Sequence, residues 1–141
     1  GTSIRNYGEI LTVNQVRVAI KCVITCIQYM HTNGYVHRDI RWPNIIMVSE
    51  FNFLMIDFEF AGISGTPMNI KDYIFKYMVA YNDNYQTSHD MKLIGKLVED
   101  WASYNKKELD NNANNFVTSM KCENASASVA LGHDWLQNNP L

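Results

Sequence analysis

Residues 35–62 read YVHRDIRWPNIIMVSEFNFLMIDFEFAG, and the fold of the whole chain turns on this stretch. Two short apolar runs, Ile45-Ile46-Met47-Val48 and Phe53-Leu54-Met55-Ile56, flank the segment Ser49 to Asn52. Runs of this length, partly β-branched and separated by turn-tolerant residues, predict a β-hairpin over 45–56 with a four-residue loop. In the symmetrical register Val48 faces Phe53, Ile45 faces Ile56, and Asn44 faces Asp57. Directly opposed residues have Cβ atoms about 4.5–5.5 Å apart, so an amide oxygen and a carboxylate converge at the open end of the hairpin. Hard oxygen donors in that arrangement suit Mg2+, above all where phosphates complete its shell. Asp39, on the loop that enters the hairpin, reaches the same place.

The segment before this stretch predicts a helix over 13–33. Thr12-Val13-Asn14-Gln15 has the form of a capping box, and apolar residues follow in steps of three and four at Val16, Ala19, Ile20, Val23, Cys26, Ile27 and Met30. Arg17, Lys21, Thr25 and Gln28 occupy the other face, and Asn33-Gly34 supplies the stop. Cys22 and Cys26 lie one turn apart with no second pair at zinc-site spacing, which makes them core-lining thiols. After the hairpin a long segment over 57–86 leads to a helix over 88–103, an Asn-rich loop from Asn105 to Asn115, and C-terminal helices within 112–137.

Composition limits the functions available. The 141 residues are 47% hydrophobic and 18% charged with a net charge of −2, which gives no electrostatic reason to expect nucleic acid or a membrane surface as partner. No apolar run is long enough to span a bilayer and no signal-peptide pattern opens the chain, so the expected compartment is intracellular, cytoplasmic or nuclear. Three cysteines, an odd number at low density, fit a reducing environment. The sequon Asn124-Ala125-Ser126 then stays unglycosylated. A chain of this length is one domain or part of a larger one.

His37-Arg38-Asp39 followed by Asn44 resembles the H-R-D-x-x-x-x-N catalytic loop of protein kinases, with Asp57-Phe58 where the D-F-G aspartate follows. Four fixed residues match by chance on the order of once in 10⁵ positions. Downstream, SHDMKLIGKLVEDW (88–101) resembles the large helix of the kinase C-lobe, with Asp90 and Gly95 at D-x-x-x-x-G spacing, and VALGHDWL (129–136) resembles its closing helix. The wording R-W-P-N and I-D-F-E-F-A-G is most similar to kinase-like domains of Crinkler-type fungal and oomycete proteins. The implied fold is a protein kinase-like C-lobe, mainly α with a small β-hairpin, without the N-lobe. The string V-A-I-K at Val18 to Lys21 resembles the N-lobe strand that carries the phosphate-binding lysine, yet only 15 residues separate Cys22 from Val36 inclusive. Lys21 therefore belongs to the polar stripe of a helix.

The resemblance implies phosphoryl transfer from ATP to a protein hydroxyl. Asp39 takes or orients the substrate proton, Asn44 and Asp57 hold Mg2+ against the ATP phosphates, and Arg41 steadies the transferred phosphate. Arg38 either docks a phosphorylated residue, with Ser64, Thr66 and Tyr73 as sites, or makes a plain structural hydrogen bond. His37 packs, and Asp90 either favours its helix dipole or braces the catalytic loop. Glu59 stands in place of the D-F-G glycine, as a further metal ligand or a tolerated change. The A-P-E sequence is missing between Asp57 and Asp90, and so is its partner arginine, with Asn124 near that place. Losing both members of a buried pair costs less than losing one. Two alternatives stand beside this reading: a small-molecule kinase of the choline or aminoglycoside type, and an inactive pseudokinase or interaction module.

Overall fold

A threonine starts the first helix. Thr12 Oγ1 accepts from the Gln15 amide at 3.2 Å while Gln15 Oε1 accepts from the Thr12 amide at 2.9 Å, so the capping box forms and satisfies the first free amides. The computed structural model describes residues 2–3, 11–67 and 84–137, and in it α1 runs Val13–Thr32. Its buried face comprises Val16, Ala19, Ile20, Val23, Ile24 and Ile27. Asn33 caps its end, and Gly34 turns the chain with φ of +83°, a left-handed conformation that glycine adopts without strain.

The strands are short and antiparallel. β1 (Thr2–Ser3), β3 (Ile45–Ser49) and β4 (Asn52–Met55) form one sheet in the order β1-β3-β4, β2 (Tyr35–Val36) pairs with β5 (Gly62–Ile63), and β6 (Thr66–Pro67) pairs with β7 (Asn84–Tyr85). The helices α2 (Thr87–Tyr104), α3 (Asn111–Lys121), α4 (Ala127–Leu131) and α5 (Asp134–Gln137) complete a mainly α chain with a small hairpin, as the sequence predicts. The longer segment over 57–86 includes residues 68–83, which lie outside the described residues together with Tyr73.

The hairpin register differs from the symmetrical one. Ile45 pairs with Met55, Ile46 with Leu54 and Met47 with Phe53, but Ser49 pairs with Asn52. Val48 is the extra residue of a β-bulge, and the connection shortens to Glu50-Phe51. The bulge lets Phe53 and Ile45 bury against the helical side while Leu54 turns outward, 55% exposed. Asn44 is consequently set against Ile56, whose amide donates to the Asn44 carbonyl at 2.8 Å, and not against Asp57.

Each of three buried tryptophans fixes a different junction. Trp42, in the 3-10 turn Trp42–Asn44, donates from Nε1 to the Leu97 carbonyl at 2.9 Å, which ties the loop before the hairpin to α2. Trp101 donates to the Leu11 carbonyl at 3.0 Å, and Trp135 packs on Phe116 with ring centroids 4.9 Å apart. Gly95 lets α2 and α3 approach closely, since a Cβ there would sit 3.1 Å from Met120 Cβ. Part of the expected Asn-rich loop is helical: Asp110 Oδ1 accepts from the Ala113 amide at 2.8 Å, and α3 starts at Asn111. That N-cap, with Ala113, Phe116, Val117 and Met120 buried in one stripe, outweighs the modest helix propensity of asparagine. No helix among the described residues is long and apolar enough to cross a membrane.

Candidate active site

Asp90 organises the loop that starts at His37. It opens α2 and is fully buried, yet its two oxygens accept from four groups: the His37 amide at 2.8 Å, the Arg38 amide at 3.0 Å, the Tyr85 hydroxyl at 2.8 Å, and His31 Nε2 at 2.8 Å. A buried carboxylate needs such partners to offset its lost hydration. Of the two roles that the sequence allowed Asp90, bracing the loop backbone is the one its contacts display. Burial and the neighbouring Asp90 charge both push the Tyr85 phenol well above its ordinary value, so Tyr85 remains a donor.

Above that clamp, Asp39 is almost completely buried. Its Oδ2 accepts from Asn44 Nδ2 at 2.8 Å, and its Oδ1 lies 3.1 Å from Arg41 Nε. The same Asn44 amide also donates to the Asp39 carbonyl at 2.9 Å, which fixes the amide's orientation and leaves Asn44 Oδ1 turned away from these bonds. Burial raises the Asp39 carboxyl above its usual range, against the opposing effects of Arg41 and Asn44. The structure thus brings together Asp39, Arg41 and Asn44.

Asp57 is exposed, holds a left-handed backbone at φ of +62°, and accepts from the Glu59 amide at 3.3 Å. Its charge acts on both His37 and Asp39. The Glu59 side chain is exposed, and among the described residues no three His, Cys, Asp or Glu side chains gather into a group able to hold a metal. The oxygens on offer are one amide from Asn44 and one carboxylate from Asp57. A Mg2+ ion that keeps several waters and binds through substrate phosphates fits such a sparse donor set.

His37 is buried, with Nε2 3.3 Å from the Ile56 carbonyl and its ring edge-on to Phe58 at 5.0 Å. Arg38 donates to the Phe60 carbonyl at 3.3 Å, to the Thr66 carbonyl at 3.2 Å and to Thr66 Oγ1 at 2.9 Å, and lies 5.7 Å from the Tyr85 ring centroid. It reaches them across Gly62, where a Cβ would stand 2.4 Å from Arg38 Nη1. The reading of the sequence missed Gly62, Tyr85 and His31. Tyr85 and His31 lie outside the motifs and Gly62 closes the I-D-F-E-F-A-G string, but all three act through contacts made only after folding.

No family model matches the chain. Against curated proteins it is 32% identical to the maternal embryonic leucine zipper kinase of Xenopus tropicalis over 63 residues, which covers 45% of this chain and 9% of that protein. It is 28% identical over 92 residues to one probable serine/threonine-protein kinase of Dictyostelium discoideum, covering 64% of this chain and 19% of that protein, and 32% identical over 72 residues to another, covering 51% and 14%. Its likeness is to protein kinases. The kinase-like chain spans less than a fifth of the length of these relatives.

Two measurements probe the kinase-like site. Gly62→Ala is expected to dislodge Arg38 from Phe60 and Thr66 and to destabilise the chain by about 1–3 kcal/mol, read as a lower urea midpoint; an unchanged midpoint refutes the tight crossing. The second is pH dependence. Burial lowers the His37 pKa from 6.5, so the unfolded chain takes up a proton that the folded chain refuses, and stability falls as pH drops below 6.5. Asp39 is raised from 3.8, so its contribution is present below that value and is lost as pH rises through its folded value. Urea titrations across this range are expected to show the acid-side loss flattened in His37→Gln and the opposing slope flattened in Asp39→Asn.

Proposed function

We propose that this chain is the catalytic half of an ATP-dependent phosphotransferase of the protein kinase type, acting on a protein hydroxyl. The observation that carries the reading is Asp39: a buried carboxylate with raised proton affinity, gripped by Asn44 and Arg41, on a loop whose backbone amides are held by Asp90. Asp39 orients the substrate hydroxyl and receives its proton. Asn44 Oδ1 and Asp57 hold Mg2+, which when bound neutralises phosphate charge. Arg41, exposed at the rim, binds the transferred phosphoryl group and moves little, because Asp39 already anchors its Nε.

The outward face of the hairpin supports ATP as the donor. Ile46, Leu54 and Ile56 share that face and are half-buried or exposed, a surface that suits the flat base of a nucleotide better than water. The contacts of Arg38 with Phe60 and Thr66 favour a protein kinase over a choline-type kinase, because they tie the loop to the segment that follows Asp57. The wording of 41–44 and 56–62 supports a finer likeness to Crinkler-type kinase domains. The test is phosphate transfer from ATP, in the longest native form of the protein, to casein and to choline. Transfer to casein supports the proposal, transfer to choline alone replaces it with the small-molecule reading, and no nucleotide binding at all leaves a pseudokinase.

A further inference from the structure

The side of α1 that meets β4 carries a depression of about 540 Å³ lined by Lys21, Cys22, Thr25, Cys26, Tyr29 and Phe53. The two cysteines are half-buried and free, and both line its wall, while Cys22 also packs against the hydrophobic core as expected of a core-lining thiol. Helical side chains four residues apart have Cβ atoms about 5–6 Å apart, whereas a disulfide requires about 3.5–4.5 Å. Cys22 and Cys26 therefore cannot close on each other without unwinding α1. A single metal atom between the sulfurs spans the wider gap: with metal–thiolate bonds of about 2.3 Å, two sulfurs in line stand roughly 4.6 Å apart.

The surroundings select the metal. No group of three His, Cys, Asp or Glu exists among the described residues, so four-coordinate zinc has no ligand set here. The walls offer hard cations almost no oxygen, and a pair of soft thiolates suits monovalent copper. We propose that Cys22 and Cys26 together hold one copper(I) ion in a two-coordinate site on α1, with the Lys21 ammonium offsetting its charge. Binding converts two thiols and Cu⁺ into a bis-thiolate complex of charge −1 and releases two protons, with no change of oxidation state.

The test is anaerobic titration of the reduced chain with copper(I) against a chromogenic copper(I) chelator. One ion per chain is expected, and bound copper is expected to protect Cys22 and Cys26 from iodoacetamide while exposed Cys122 is alkylated as before. Cys22→Ser and Cys26→Ser are each expected to weaken binding at least a hundredfold, and Cys122→Ser to leave it unchanged. Equal protection of all three thiols, no protection, or wild-type affinity in either single variant overturns the proposal. Alkylation of the wild-type chain decides the matter even where a serine variant fails to fold, and neither readout depends on phosphotransfer.

Discussion

Asp90→Ala is expected to destabilise the chain by about 3–5 kcal/mol, the range for removing one side of a buried charged network. Its four donors differ in how they recover. His31 is partly exposed and finds water, but the His37 and Arg38 amides and the Tyr85 hydroxyl are buried, and each donor left unpaired costs about 1–3 kcal/mol. These costs do not simply add, because the loop relaxes once released. Asp90→Asn keeps one oxygen and turns an acceptor into a donor facing other donors, so it is expected to recover less than half of the loss. Urea unfolding of wild type and both variants checks this; an alanine variant within about 0.5 kcal/mol of wild type, the scale of an ordinary surface change, removes Asp90 from its central role.

Asp39→Asn has the opposite profile. In the longest native form it is expected to lower the rate of phosphate transfer by about 10²–10⁴-fold, the usual contribution of a positioned acid or base, with KM for ATP little changed. Stability at neutral pH is expected to hold or rise, because burial disfavours the charged form of Asp39 and an uncharged isostere removes that opposition. Asp57→Ala is expected to abolish transfer and to raise KM for Mg2+-ATP, again with the fold intact since Asp57 is exposed. Wild-type turnover in either variant defeats the assigned roles.

What the sequence disclosed and what it withheld divide along the range of the forces involved. The capping box at Thr12 and the apolar stripe after it are local, and α1 formed within a residue of its expected end. Asp39, Arg41 and Asn44 are also close in sequence and meet in the structure, whereas the pairing of Asn44 with Asp57 that the symmetrical register implied gave way to Ile56. The bulge at Val48 was invisible, because it is decided by how Phe53 and Ile45 bury on the helical side, not by the hairpin's own letters. The early start of α3 turned on one cap, Asp110, hidden among asparagines that suggest a loop. The partners of Asp90 are separated from it by as many as 59 residues, and no periodicity reports a contact of that kind.

The same carboxylate that opens α2 holds the amide protons of His37 and Arg38. Those two protons are consequently expected to exchange with deuterated solvent only when the first turn of α2 lets go, which sets their exchange by the opening of that turn and not by the motion of a surface loop. The loop from His37 to Asn44 is then a gauge of its support: these two amides report how often the first turn of α2 opens.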